Sequence, residues 1–192
     1  MNYLIYDCEI EKLIPPRNEQ RMDGYEYCEG WRDFENMGIS VIGCKWSGEK
    51  SPFACFSADE FRRIEAQRTV MLIGFNSWSF DDELLKANGY NTFTEYDVLE
   101  QVRLAAYGSD SYKDQPKGYS YSLGKIAEAN GFAKTGSGEL APKLWQDGRR
   151  QEVIDYCLND VVITEKILLL GLEGKLIDPN DGKLLKLADP DD

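Results

Sequence analysis

The chain has 192 residues, 42% of them hydrophobic, and a formal net charge of −12. That length and composition suit one compact domain over residues 1–192, and they exclude a disordered chain or one threaded through a membrane. Histidine is missing altogether, which excludes mechanisms built on a histidine base and leaves acid–base work to carboxylates, tyrosine, lysine or metal-bound water.

The first residues read directly as a strand. Tyr3 to Cys8 is a near-continuous apolar run, as in a central strand buried on both faces, with no basic region ahead of it and no small-residue cleavage site. Glu11 to Asn36 is a long polar connection that contains Pro15-Pro16 and the aromatics Tyr25, Tyr27, Trp31 and Phe34. These aromatics suit either stacking on single-stranded bases or a satellite core beneath the loop. Ile39 to Trp46 and Pro52 to Phe56 read as two strands joined by the turn at Ser47-Gly48-Glu49-Lys50. Ser57-Ala58-Asp59-Glu60 has capping-box spacing and opens a helix through Gln67. Val70 to Phe75 is a further buried strand, and Asp81 to Asn88 a short helix ended by Gly89. Phe93 to Tyr96 reads as a strand and Asp97 to Ala106 as a helix. Ser122 to Asn130 is helical, Ala133 to Leu144 is Gly-rich and irregular, and Arg149 to Leu170 is a long helix. Lys175 to Leu187 forms a small hairpin around Pro179-Asn180-Asp181-Gly182. A strand meander followed by alternation with helices predicts an α/β fold with a mixed central sheet flanked by helices.

Two compositional features frame the chemistry. The cysteines at 8, 28, 44, 55 and 157 are odd in number and have no C-x-x-C spacing. They read as small buried hydrophobes in a reducing, cytoplasmic setting, not as a disulfide framework or a zinc knuckle. The net negative charge opposes nonspecific nucleic-acid binding unless bound cations reverse the sign of a site. Lys113 to Arg150 holds seven basic and four acidic residues, a local surplus that fits a phosphate-facing region or a merely solvated surface equally well.

Three acidic features stand out. Asp7-Cys8-Glu9 ends the first strand, and alternation puts both carboxylates on one face, at the carboxyl end where α/β sheets place ligands. A polar strand end entering a loop gives the same triplet. Asn76-Ser77-Trp78-Ser79-Phe80-Asp81 follows a strand and opens a helix. Ser79 suits an N-cap, and Asp81 and Asp82 suit the positive end of the helix dipole. In the long helix the polar arc centres on Asp155, Asn159 and Lys166, yet Asp160 projects into the apolar arc near Val153 and Ile167, with Tyr156 one turn earlier on the same side. An inward carboxylate is costly unless a buried arginine, a hydrogen-bond network or a metal ion compensates it. Asp7, Glu9, Asp81 and Asp160 together are the oxygen-only donor set that hard cations require. Two such ions roughly 4 Å apart can activate an attacking water and stabilise a leaving 3′ oxygen. Tyr156 is placed to hydrogen-bond the water or the scissile phosphate.

Asp7-x-Glu9, Asn76-x-x-x-Phe80-Asp81 and Tyr156-x-x-x-Asp160 resemble, in order, the three motifs of the DnaQ-like (DEDD) 3′→5′ exonucleases, in the branch with a tyrosine in the third motif. Relatives in that branch include ribonuclease D and the proofreading domains of family B DNA polymerases. The similarity is nearest to stand-alone predicted exonucleases, whose last helix follows a segment like Ala141-Pro142-Lys143-Leu144-Trp145-Gln146-Asp147-Gly148. The resemblance spans most of the chain and implies a ribonuclease-H-like fold. It also implies two Mg²⁺ or Mn²⁺ ions held by Asp7, Glu9, Asp81 and Asp160, and Tyr156 positioning water. The implied activity is hydrolysis of single-stranded nucleic acid from its 3′ end, DNA favoured over RNA, to nucleoside 5′-monophosphates. Asn76 and Phe80 fall in the second motif on the substrate side. Ile10 stands where many relatives have threonine, and its apolar side chain either wedges against the terminal base or changes another contact to that nucleotide. The Glu11 to Asn36 segment has no counterpart in the family pattern. Two other readings fit the residues less well: a noncatalytic nucleic-acid- or protein-binding module on the same fold, and a metal phosphohydrolase of small nucleotides. No membrane partner is expected.

Overall fold

The computed structural model of the chain describes residues 2–17, 20–68, 70–136 and 138–191. The opening apolar run forms β1 (Tyr3–Ile10), the middle strand of a five-stranded sheet. A meander adds β2 (Ile39–Trp46) and β3 (Phe53–Cys55), each antiparallel to the strand before it. On the other side of β1 lie β4 (Met71–Gly74) and β5 (Tyr96–Asp97), both parallel, giving the order β3-β2-β1-β4-β5. The chain is therefore α/β with a mixed central sheet.

Alternation along β1 sorts its side chains between two cores. Leu4, Tyr6, Cys8 and Ile10 join the core that includes Phe61 of α2 (Ala58–Glu65) and Leu84 and Leu85 of α3 (Asp81–Ala87). Tyr3 and Ile5 face the other way, into the core built with α4 (Val98–Tyr107), α5 (Leu123–Ala129) and α7 (Arg150–Leu172). Asp7 and Glu9 share the parity of that second set, so the pleat itself aims both carboxylates toward α7. After α7, β6 (Leu176–Ile177) and β7 (Leu184–Leu185) form the expected hairpin.

Several local expectations are corrected. Ser79 is not an N-cap: Ser77–Ser79 is a 3₁₀ turn, and α3 starts after Phe80 with no side-chain cap. The capping role belongs to Asp97, whose Oδ1 accepts from the Leu99 and Glu100 amides at the start of α4. The strand expected at Phe93 to Tyr96 shrinks to β5, because Thr94 spends its amide on Asp82 Oδ2 (3.0 Å) and not on a strand partner. The segment expected to be irregular from Ala133 to Leu144 contains the start of α6 (Ala141–Gln146), which has Pro142 in its first turn, where a missing N–H costs nothing. The long connection after β1 closes with α1 (Phe34–Met37). All five cysteines are buried and free. No helix among the described residues is long and apolar enough to cross a membrane.

Candidate functional site

The site is set by how closely α7 approaches the sheet. Gly43 of β2 is the register partner of Asp7. A Cβ at Gly43 would lie 2.9 Å from Cys157 Sγ and 3.1 Å from the Cys157 carbonyl, so only glycine lets the helix backbone settle here. The Gly43 amide donates to Cys157 Sγ (3.2 Å), and that sulfur lies 3.3 Å from the Asp7 carbonyl oxygen. Contact at Cys157 brings its helix neighbours Tyr156 and Asp160, both buried, over the carboxyl end of β1. Carboxylate oxygens of Asp7, Glu9 and Asp160 then lie within 4.8 Å of one another, although more than 150 residues of sequence separate the ends of the set.

Asp81 arrives from the opposite layer. β1 runs on beyond its last pairing with β4, Ile5 with Ile73, so the Cys8 amide lacks a strand partner on that side. Asp81 Oδ1 accepts from that amide at 2.7 Å. This bond ties the start of α3 to the strand end between Asp7 and Glu9, beside the trio but outside the tight cluster. Its neighbour Asp82 points elsewhere. Asp82 accepts from the Tyr6 hydroxyl and from Thr94, and Thr94 in turn bonds Ser77 Oγ (2.9 Å), a closed and satisfied network.

Burial pushes Asp81 up to about 7, against the pull of the Cys8 amide. Burial raises Asp7 and Glu9 well above the usual carboxylate range, the charges of Asp81 and Asp160 add to both, and the charge of Asp7 raises Glu9 as well. Asp160 is raised by burial and held back by Lys134, whose Nζ sits 2.8 Å from Asp160 Oδ2. The same ammonium lies over the Tyr156 ring, 5.1 Å from its centroid. Burial and the surrounding carboxylates hold the Tyr156 hydroxyl far above its ordinary value, so it remains an O–H donor. The other oxygen of Asp160, Oδ1, is buried without a hydrogen-bond partner.

One ammonium thus serves Asp7, Glu9 and Asp160, and an acceptor is left unpaired. The donor set is all oxygen, as hard divalent cations require, and the orphaned oxygen and surplus negative charge are what such a cation would satisfy. The residues therefore fit a metal centre in which Asp7, Glu9 and Asp160 form the tight group and Asp81 the fourth member.

These side chains line one open cavity of about 1690 Å³. Ile10, Asn76 and Phe80 line it too, so all the site residues expected from the sequence reach its wall except Asp160, which is buried. Asn76 is the only described non-glycine residue with a positive φ (63°), and its amide donates to Asp97 Oδ1 (3.0 Å). Phe80 packs edge-on against Phe34, their centroids 5.7 Å apart.

No protein-family model and no curated protein matches this chain.

Sequence reading missed Lys134, which it counted only as part of a basic stretch. Its one local signal is a lysine entering the Gly-rich stretch at 133–138, where Gly136 has no room for a Cβ against the Tyr156 ring (2.7 Å). The basic stretch is not a phosphate-facing patch as a whole: Lys125, Lys143 and Arg149 are paired with Glu128, Asp147 and Glu152. The aromatics of residues 11–36 form no satellite core of their own. Phe34 joins the α2–α3 core, Tyr25 binds α6 through Asp147 (2.7 Å), and Trp31 stays 57% exposed on the cavity.

Proposed function

We propose that this chain is a metal-dependent 3′→5′ exonuclease with a ribonuclease-H-like fold, hydrolysing single-stranded nucleic acid, DNA in preference to RNA, to nucleoside 5′-monophosphates. The observation that carries the reading is the convergence of Asp7, Glu9 and Asp160 within 4.8 Å under an open cavity, with an unpartnered buried oxygen on Asp160. A binding module for phosphates gains nothing from such a cluster, because uncompensated carboxylates repel its ligand. The sheet order and the position of the site at the carboxyl end of β1 support the ribonuclease-H-like reading.

In this reading Asp7, Glu9, Asp81 and Asp160 hold two Mg²⁺ or Mn²⁺ ions. When bound, such ions activate the attacking water and stabilise the departing 3′ oxygen. The protein's own part is to hold and orient. Tyr156, kept protonated, donates a hydrogen bond to the attacking water or to the scissile phosphate. Ile10 and Phe80 present apolar surface to the terminal nucleotide, and Asn76 bounds the same wall. Lys134, already beside Asp160, offers a cation to a phosphate oxygen once divalent ions take over its partner.

The test is digestion of 5′-labelled single-stranded DNA and RNA with Mg²⁺ or Mn²⁺, comparing wild type with Asp160→Ala. We expect a ladder shortening from the 3′ end, lost on chelation and reduced on the order of a thousandfold in the variant. A folded wild type that cleaves neither strand with either metal refutes the reading.

A further inference from the structure

Residues 11–36 have no assigned role, yet they build one wall of the cavity. Ile14, Pro15, Arg17, Trp31, Arg32 and Phe34 all line it. The segment is fastened on its far side. The Tyr25 hydroxyl donates to Asp147 Oδ1 (2.7 Å), the Glu26 amide donates to Gln146 Oε1 (2.8 Å), and Gln146 Nε2 donates back to the carbonyls of Glu11 (2.9 Å) and Glu26 (3.0 Å). Within it, Leu13 and Cys28 pair through the Cys28 amide and the Leu13 carbonyl (3.0 Å). The wall is therefore a docked piece of structure with a defined outer face.

That face brings an exposed aromatic and two unpaired cations to the cavity. Trp31 is 57% exposed although it belongs to an anchored segment, and folding gains little from a tryptophan left in water. Arg17 and Arg32 are exposed and carry no ion pair among the described residues, in a protein whose net charge is −12. Other exposed cations with no ion pair among the described residues, such as Lys50, Arg63 and Lys117, lie away from the cavity, whereas Arg17 and Arg32 line it together with Asp7 and Glu9. An exposed aromatic ring and unpaired guanidinium groups on one cavity wall are the combination that holds an unpaired strand, with a base stacking on the ring and phosphates on the cations.

We infer that residues 11–36 form a subsite for the single strand upstream of the scissile phosphate, with Trp31 stacking a base and Arg17 and Arg32 taking backbone phosphates. This rests on the exonuclease reading of the carboxylate centre. It makes the insertion the element that distinguishes a polymer from a small ester.

The test compares two substrates: a 5′-labelled single-stranded DNA twelve-mer, and the nitrophenyl ester of a nucleoside 5′-monophosphate, which is too short to reach the wall. Trp31→Ala should raise KM for the oligonucleotide about tenfold and leave turnover of the ester unchanged, which also shows that the variant is folded. Trp31→Phe should recover most of the loss. Arg17→Gln combined with Arg32→Gln should reduce the slope of log KM against log salt by about 1.4, the counterion release of two single-strand phosphates. If wild type and variants cleave both substrates with equal KM and equal salt slope, the subsite is refuted and the exonuclease stands; that is also the result of a wall that serves a protein partner. If wild type turns over neither substrate with Mg²⁺ or Mn²⁺, the exonuclease reading falls, and this one with it.

Discussion

Helix α7 carries two acidic side chains into its contact with the sheet, and the fold treats them in opposite ways. Glu165 is met by a full set of partners. Lys45 Nζ reaches both of its oxygens (2.8 and 2.9 Å), the Tyr3 hydroxyl donates to Oε1 (3.2 Å), and the lysine also donates to the Glu49 carbonyl. Asp160, little more than a turn earlier, shares one ammonium with Asp7 and Glu9 and leaves Oδ1 unpaired. Glu165 shows what a largely enclosed carboxylate looks like when the protein itself supplies the compensation. Measured against it, the Asp160 cluster is incomplete in a specific way: it lacks positive charge.

The contrast can be broken by exchanging charge for amide at each position. Glu165→Gln leaves Lys45 buried without its anion and should cost about 3 kcal/mol in urea unfolding, with metal-dependent cleavage kept at temperatures where the protein stays folded. Asp160→Asn removes one of four crowded charges, so the metal-free protein should be as stable as wild type or more so, while cleavage disappears. Equal losses of stability in the two variants would mean that Asp160 is an ordinary structural ion pair with Lys134.

Metal addition sharpens the same distinction. At about a hundredfold excess over its dissociation constant, Mn²⁺ should stabilise the wild type and Glu165→Gln by about 2.7 kcal/mol, visible as a rise in Tm that Asp160→Asn lacks. Gly43→Ala tests the geometry that brings Asp160 to Asp7. Its Cβ meets Cys157, and we expect a cost of about 2 kcal/mol together with weaker metal-induced stabilisation, whereas the Lys45–Glu165 pair should persist. The smallest effect is in pH. Asp7, Glu9 and Asp81 titrate higher in the folded protein than in the unfolded chain. The stability tied to their protonated forms is complete below the ordinary carboxylate range and is lost as pH rises through the folded values, about 7 for Asp81. In chelator the urea midpoint should therefore fall between about pH 5.5 and about pH 8.5, and saturating Mn²⁺ should flatten that slope. A midpoint that rises over this interval would show that the carboxylates are already compensated without metal.

Much of this was readable along the chain. The parity of Asp7 and Glu9 follows from the two-residue period of a strand, and the inward turn of Asp160 and Tyr156 from the 3.6-residue period of a helix. Both are local rules, and both hold in the structure. Where the Asp81 and Asp82 side chains point is decided by a distant strand. Asp81 bonds the Cys8 amide that β4 leaves free, and Asp82 bonds Tyr6. Nothing within the helix start distinguishes the two residues.

The sequence by itself determined the strand and helix periods, the oxygen-only character of the donor set and the lack of any histidine, because these depend on residue type and near neighbours alone. Only the tertiary structure decided that Gly43 admits Cys157, that Lys134 pairs with Asp160, and that residues 11–36 are fastened to α6 with Trp31 on the cavity. Each of these is a contact between segments far apart in the chain. Their physical basis is close packing and charge balance in three dimensions, which no periodicity along one dimension encodes.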